Sequence, residues 1–169
     1  LNLGLKPREI AEQLRLPAGL EQEWFARGYY GTLSHNSKAI YQRYLGWYDG
    51  NPARLDALPP EQAARKTIDY MGGADAVLAR AAADYASGEF RWVADIASQL
   101  VFADPTNTAA RTLCANALEQ LGYQAESATW RNAYLQGALE MRQGPPRLPG
   151  IANPDMVRAL PLDLFFDYL

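Results

Sequence analysis

The residues best suited to acid–base or anion-binding chemistry lie close together, in the segment 27–36. This segment contains His35, the only histidine among 169 residues, together with Tyr29, Tyr30 and Asn36. An imidazole titrates near neutral pH, so His35 could act as an acid, a base or a metal ligand. No cluster of carboxylates or cysteines lies nearby in the sequence. Packed tyrosines and a polar histidine in the first turn of a helix are therefore the structural alternative.

The glycines and polar residues of the same segment indicate a turn followed by a helix. Gly28 and Gly31 allow the chain either to adopt a positive φ or to pass close to another surface. A helix is predicted to begin near residue 34, and Ser34 or Asn36 is the expected N-cap, because their side chains can accept a hydrogen bond from a free backbone N–H. The segment thus reads as a turn that presents His35 at the start of a helix.

Other familiar catalytic motifs do not occur in the sequence. It has neither a His-x-His nor a His-Glu-x-x-His zinc motif, and Gly72-Gly73 lacks the Lys-Ser/Thr that completes a phosphate-binding loop. The single cysteine, Cys114, excludes a disulfide within the chain. It lies in an apolar helical run, which predicts a buried thiol. Taken alone, the residues favour a structural or interaction role.

Composition predicts a globular chain without a basic surface. The sequence is 49% hydrophobic, enough for one domain or for one domain and part of another. Its 16 basic and 19 acidic residues give a net charge of −3 and form no long run, so neither nucleic-acid binding nor a polybasic membrane anchor is expected. No apolar run reaches the ~20 residues of a membrane span. Both ends look cut, and we expect a piece of a longer protein whose compartment cannot be predicted.

Apolar periodicity predicts an all-α fold, with helices at 6–15, 20–27, 34–48 and 60–71 and no strand before residue 160. The first two helices suggest a helix-turn-helix, but Glu21 and Glu23 make the second unsuitable for DNA. The third carries a wide aromatic face. It consists of Ile40, Tyr41, Tyr44, Leu45, Trp47 and Tyr48. Such a face is typical of a core, or of a surface that a partner covers.

Residues 74–142 are organised as two helix pairs. Gly88 and Gly122 lie 34 residues apart, and each follows one helix-length apolar run and precedes another. This period resembles tetratricopeptide repeats. Two units are too few for a long solenoid. A free-standing tetratricopeptide-like module that binds a peptide is nevertheless the alternative function to be weighed.

A proline-rich segment follows the helix pairs. The chain changes character over 143–159: its first part, Gln143–Gly150, contains Pro145, Pro146 and Pro149, and prolines favour an extended linker over a helix there. The apolar run at 160–169 then begins a new element.

Over residues 5–143 the sequence resembles bacterial type III alkylsulfatases, which are zinc enzymes of the metallo-β-lactamase superfamily. The segments that carry the resemblance are Arg27–Thr32, His35–Asn36, Lys38–Ala39, Tyr41–Gln42, Tyr44–Trp47, Asp49–Pro52, Tyr70–Ala74, Val101–Pro105, Ala117–Ser127 and Trp130–Asn132. The resemblance implies a helical dimerisation domain at 1–143, with helices that interlock across a two-fold axis in a homodimer. It also implies a linker at 144–159 and the start of a sterol-carrier-like domain at 160–169.

In that family the catalytic domain precedes the dimerisation domain and binds two zinc ions. The resemblance therefore implies no zinc ligand in this chain, no turnover by this chain alone, and an N-terminal metallo-β-lactamase-like domain as a partner. The complete protein would be a soluble bacterial enzyme that hydrolyses alkyl sulfates; its localisation stays open, and a periplasmic or secreted location is compatible with the resemblance.

The resemblance also implies that the 29–36 turn borders the sulfate-binding pocket. His35 is the candidate catalytic residue, because it could protonate the departing sulfate. Tyr30, Asn36, Lys38 and Tyr44 are the candidate substrate-binding residues, since their N–H, O–H and ammonium groups can stabilise sulfate oxygens. For Lys38 and Tyr44, helix-surface charge and core packing remain equally good explanations.

Overall fold

The computed structural model describes residues 2–146 and 154–167 as helices joined by short turns. Within these ranges it contains no strand, which confirms the predicted all-α class. The α-helices are α1 (Pro7–Gln13), α2 (Ala18–Glu21), α3 (Leu33–Leu45), α4 (Pro60–Tyr70), α5 (Ala74–Ala86), α6 (Phe90–Ala103), α7 (Thr108–Gln124), α8 (Ala128–Gln143), α9 (Pro154–Ala159) and α10 (Leu162–Asp167). Short 3-10 turns at Trp24–Ala26 and Pro52–Arg54 flank α3.

Helix α6 forms the centre of the core. Val93, Ile96, Ala97 and Leu100 recur with helical spacing and are all buried. The helix packs against α4, α5 and α7, and α7 packs in turn against α8. Burying each large aliphatic side chain contributes about 1.5–3 kcal/mol, which makes the α4–α8 array the stable part of the fold. The two predicted helix pairs do contact one another, whereas a tetratricopeptide geometry stays a prediction.

Gly122 does not have the turn role that the 34-residue period suggests. Gly88 ends α5 with a φ of +86°, as expected for a turn glycine, but Gly122 lies inside α7. A Cβ built on Gly122 would lie 2.9 Å from Cγ of Leu135 in α8. Gly122 therefore allows two helices to approach closely, and the chain turns later, between Gln124 and Ala128.

Replacing Gly122 by alanine is expected to lower the free energy of unfolding by about 1–2 kcal/mol relative to Gly137→Ala, because overpacking at a close contact typically costs about 1–3 kcal/mol. Gly137 is the matched control: it also lies in a helix, and its added Cβ would meet only Leu118 Cδ1, at 3.4 Å. Both changes gain the same helix propensity, so the difference isolates packing. Chemical denaturation measures it, and equal stability of the two variants would contradict the close approach.

Helices α1 and α3 pack against each other and are tied to the α4–α8 array by polar contacts. The carboxylate of Glu12 in α1 pairs with Arg91 in α6 at 2.7 Å. Arg27 pairs with Glu126, just before α8. The guanidinium of Arg91, through its hydrogen bond and then its charge, holds the pKa of the Glu12 carboxyl below its ordinary value. Both pairs are largely exposed, so they mark where the N-terminal segment contacts the array and contribute little stability of their own.

Two predictions of local structure were wrong. The 20–27 helix is replaced by α2 and a 3-10 turn. The 34–48 helix ends at Leu45, because Gly46 follows with a φ of +80°. The extended conformation expected for the proline-rich segment 143–150 stays a prediction, and helix α9 begins after that segment, at Pro154. Residues 147–153 lie outside the described ranges.

Candidate functional site

The backbone of the 29–31 turn is attached to the N-terminus of α8. The Ser127 hydroxyl donates to the carbonyl oxygen of Tyr30 at 2.6 Å, and the Thr129 hydroxyl donates to the same oxygen at 2.9 Å. The Ala128 N–H donates to the Tyr29 carbonyl at 2.8 Å. Because Ser127 is only 1% exposed, its hydrogen bond is shielded from water. The turn that carries Tyr30 is therefore positioned by a helix almost 100 residues further along the chain.

Thr32, and not Ser34 or Asn36, caps α3. Its hydroxyl oxygen accepts a hydrogen bond from the His35 N–H at 2.9 Å, while Ser34 and Asn36 lie within the first turn. Gly31 supplies the close approach that the sequence allowed: a Cβ there would lie 2.9 Å from Oδ1 of Asn36. Glycine at 31 thus leaves room for the Asn36 amide beside the turn.

His35 lines an open groove of about 760 Å³ between the turn, α3 and α8. We call it the His35 groove. Its lining consists of Tyr30, Gly31, His35, Asn36, Thr129, Trp130, Ala133 and Tyr134. The groove has the size of a small-molecule site and combines aromatic walls with a few hydrogen-bonding groups. Such a surface suits a ligand that has both an apolar part and a polar head.

Lys38 lines a separate, smaller groove that shares Trp130 and Tyr134 with the His35 groove. We call this space, about 380 Å³, the Lys38 groove; it is also lined by Glu12, Arg91 and Tyr134. The Lys38 ammonium lies 5.3 Å from the centroid of the Trp130 ring. The His35 ring meets the same indole edge to face, at 6.2 Å between centroids. The Trp130 side chain therefore lines both grooves.

The five predicted site residues are only partly brought together. Tyr30, His35 and Asn36 share the His35 groove, Lys38 lies in the neighbouring one, and Tyr44 lies further along α3 with 75% of its surface exposed. Trp130 and Tyr134 are groove residues that no sequence motif reveals. Their i, i+4 spacing on α8 indicates that they share a face, but the same spacing is equally typical of ordinary helix packing.

A second notable surface is the outer side of α3. Ile40 and Tyr44 lie one turn apart on α3 and are 52% and 75% exposed, and Trp47, two residues beyond the end of the helix, is 72% exposed; we call these three side chains the α3 outer face. Only Tyr41 of the predicted aromatic face is buried in this chain. Of the two alternatives for that face, core packing is wrong for the outer residues. Exposed apolar clusters of this kind commonly mark interaction surfaces.

The described residues contain no group of three or more His, Cys, Asp or Glu side chains that could hold a metal ion. Cys114 is 1% exposed, and burial raises the pKa of its thiol to about 11. The predicted buried thiol is confirmed, and it packs as a small apolar side chain. In the same ranges, every helix is too short or too polar to cross a bilayer.

A family model, curated relatives and solved structures all indicate the same family for this chain. Residues 6–144 match the family described as alkyl sulfatase dimerisation. The chain is 63% identical over 169 residues to an alkyl/aryl-sulfatase of Saccharomyces cerevisiae, covering 100% of this chain and 26% of that protein. It is 54% identical over 170 residues to a linear primary-alkylsulfatase of Pseudomonas sp., covering 99% and 25%. The solved structure of a stereoselective inverting sec-alkylsulfatase from Pseudomonas sp. superposes with a TM-score of 0.88 at 51% identity, covering 99% and 27%.

The chain thus spans about a quarter of the length of these relatives. Relatives occur in yeast as well as in Pseudomonas, so the resemblance does not restrict the source to bacteria. The comparisons do not favour the free-standing peptide-binding module, because the matched family is named for dimerisation and covers nearly the whole helical region.

Proposed function

Because this chain belongs to the alkyl sulfatase dimerisation family, we propose that it joins two copies of an alkyl sulfate ester hydrolase and borders the active site of that enzyme. The observation that carries the proposal is the family match across residues 6–144. The chain is a dimerisation domain and self-associates. The activity of the complete protein is inferred from the names of relatives that are about four times as long.

The α3 outer face is the proposed centre of the homodimer interface, in which the helices of two copies interlock. Its exposed aromatic side chains support this role, because Tyr and Trp are enriched among interface residues that carry binding energy. A stable obligate pair usually buries more than ~2,000 Å² in total, so the interface must extend beyond these three residues. This position supports an interface role for Tyr44 more than the predicted substrate contact.

The His35 groove is the proposed part of the substrate site. The imidazole of His35, the amide of Asn36 and the phenol of Tyr30 are donors that could bind the oxygens of a sulfate ester. His35 would donate a proton to the sulfate group as its bond to the alkyl carbon breaks, and a water molecule would supply the oxygen of the product alcohol. Lys38 would add positive charge beside the groove, and the aromatic wall suits the alkyl part of an alkyl sulfate.

We place the two zinc ions of such an enzyme in an N-terminal metallo-β-lactamase-like domain outside this chain. The dimerisation domain would then contribute donors to a site whose metal ligands come from that domain. We further propose that residues 144–159 form a linker and that residues 160–169 begin a sterol-carrier-like domain.

The test compares the complete protein with the 169-residue chain. Multi-angle light scattering is expected to give dimer masses for both, and hydrolysis of octyl sulfate with added zinc is expected only for the complete protein. A monomeric complete protein would contradict the assembly role. Turnover by the 169-residue chain alone would contradict the placement of the zinc site, and a complete protein without sulfatase activity would contradict the proposed substrate class.

A further inference from the structure

Trp130 of α8 contacts two predicted site residues that both lie on α3. Its ring and that of His35 meet edge to face, with an interplanar angle of 74°, and the Lys38 ammonium lies over the same indole. His35 and Lys38 are three residues apart, so they share one side of α3. A single side chain from another helix therefore contacts both.

We propose that Trp130 is a positioning residue that orients the His35 imidazole into its groove and holds the Lys38 ammonium beside it. The significance of this for turnover rests on the proposed function of His35. An aromatic ring has negative charge density on its face and positive charge density at its edge, so it attracts both a cation and the edge or face of a second ring. These contacts restrict the rotamers of the exposed His35 side chain and the half-buried Lys38 side chain.

Trp130 is itself held in place by the contacts that anchor the turn. Its backbone N–H donates to the Ser127 hydroxyl oxygen at 3.4 Å, and that hydroxyl donates to the Tyr30 carbonyl oxygen. The Tyr134 ring packs against Trp130 at 6.4 Å between centroids, almost perpendicular to it. The backbone of Trp130 is thus attached to the same turn that supplies Tyr30 to the groove, and the Tyr134 ring supports the indole from the next turn of α8.

No nearby carboxylate takes over the role of the indole at Lys38. Glu12 faces the same groove but binds Arg91 through a 2.7 Å hydrogen bond, and within the described ranges Lys38 forms no ion pair. The charge of Lys38 does help to lower the pKa of Glu12, although Arg91 is the larger cause. In the described ranges, the Trp130 face is therefore the identified contact of the Lys38 ammonium.

The test measures steady-state hydrolysis of octyl sulfate by the complete enzyme carrying Trp130→Leu or Trp130→Phe. Leucine keeps apolar volume without a π face, and phenylalanine keeps the π face. We expect Trp130→Leu to lower kcat about 10- to 100-fold, the usual cost of a misplaced catalytic group, with a smaller change in KM. Trp130→Phe is expected to stay within about threefold of the wild type.

Equal activity of the leucine and phenylalanine variants would overturn the positioning role, because a merely space-filling Trp130 would tolerate both. Two further measurements separate this outcome from failure of the proposed function. His35→Ala with wild-type kinetics would reject the role of His35 itself. If Trp130 acts mainly through His35, adding Trp130→Leu to His35→Ala is expected to cause little further loss, and full multiplication of the two losses would overturn the inference.

Discussion

Replacing His35 by alanine in the complete protein is expected to lower kcat for alkyl sulfate hydrolysis by about 10²–10⁴-fold, the range typical for loss of a general acid or base. The reason is that His35 is the only imidazole in the chain and lines a groove with the hydrogen-bonding residues Tyr30 and Asn36. Steady-state kinetics measures the loss. Zinc content and dimer mass are expected to remain unchanged, because the His35 side chain is exposed and not part of the core.

Two control variants divide this effect into its parts. His35→Gln keeps a hydrogen-bond donor but cannot transfer a proton at neutral pH, so it is expected to retain binding better than turnover. Gln42→Ala changes an exposed residue further along the same helix and is expected to leave the kinetics unchanged. If His35→Ala has the kinetics of Gln42→Ala, His35 is only a polar residue at the start of α3.

Introducing glutamate at both Tyr44 and Trp47 is expected to raise the dissociation constant of the dimer by about 30- to 1,000-fold. Interface hot spots commonly contribute 2–4 kcal/mol, and each 1.4 kcal/mol is a factor of about ten. Both side chains are more than two-thirds exposed in the single chain, at 75% and 72%, so the monomer fold is expected to survive. Sedimentation velocity measures the association, and circular dichroism checks the fold.

Tyr123→Glu is the matched control for this change. Tyr123 is an exposed aromatic residue, at 66%, but it lies on α7. Dissociation of the Tyr123 variant together with an intact Tyr44/Trp47 variant would place the interface on α7 and contradict the assignment of the α3 outer face. Loss of helical signal in the double variant would show that these side chains support the fold itself.

The regular helices of the array could be predicted because the residues that determine them are close together in the sequence. The apolar spacing of α6 and α7 predicted helices there, and the proline at residue 60 with Gly72-Gly73 predicted the extent of α4 to within one residue. Local signals were less decisive near the site. Thr32, Ser34 and Asn36 are all good cap residues, so only the backbone geometry shows that Thr32 accepts the hydrogen bond.

The sequence by itself determined the all-α class, the buried Cys114 and, through its resemblance to alkylsulfatases, the family. The spacing of apolar residues indicates that one side of a helix is apolar, but it does not indicate whether the same chain or a second copy covers that side. The tertiary structure therefore decided that Tyr41 is buried while Tyr44 and Trp47 are exposed. It also decided that Gly122 serves helix packing and that Trp130 contacts both His35 and Lys38. These are contacts between residues distant in sequence, and they exist only once α3, α7 and α8 have packed.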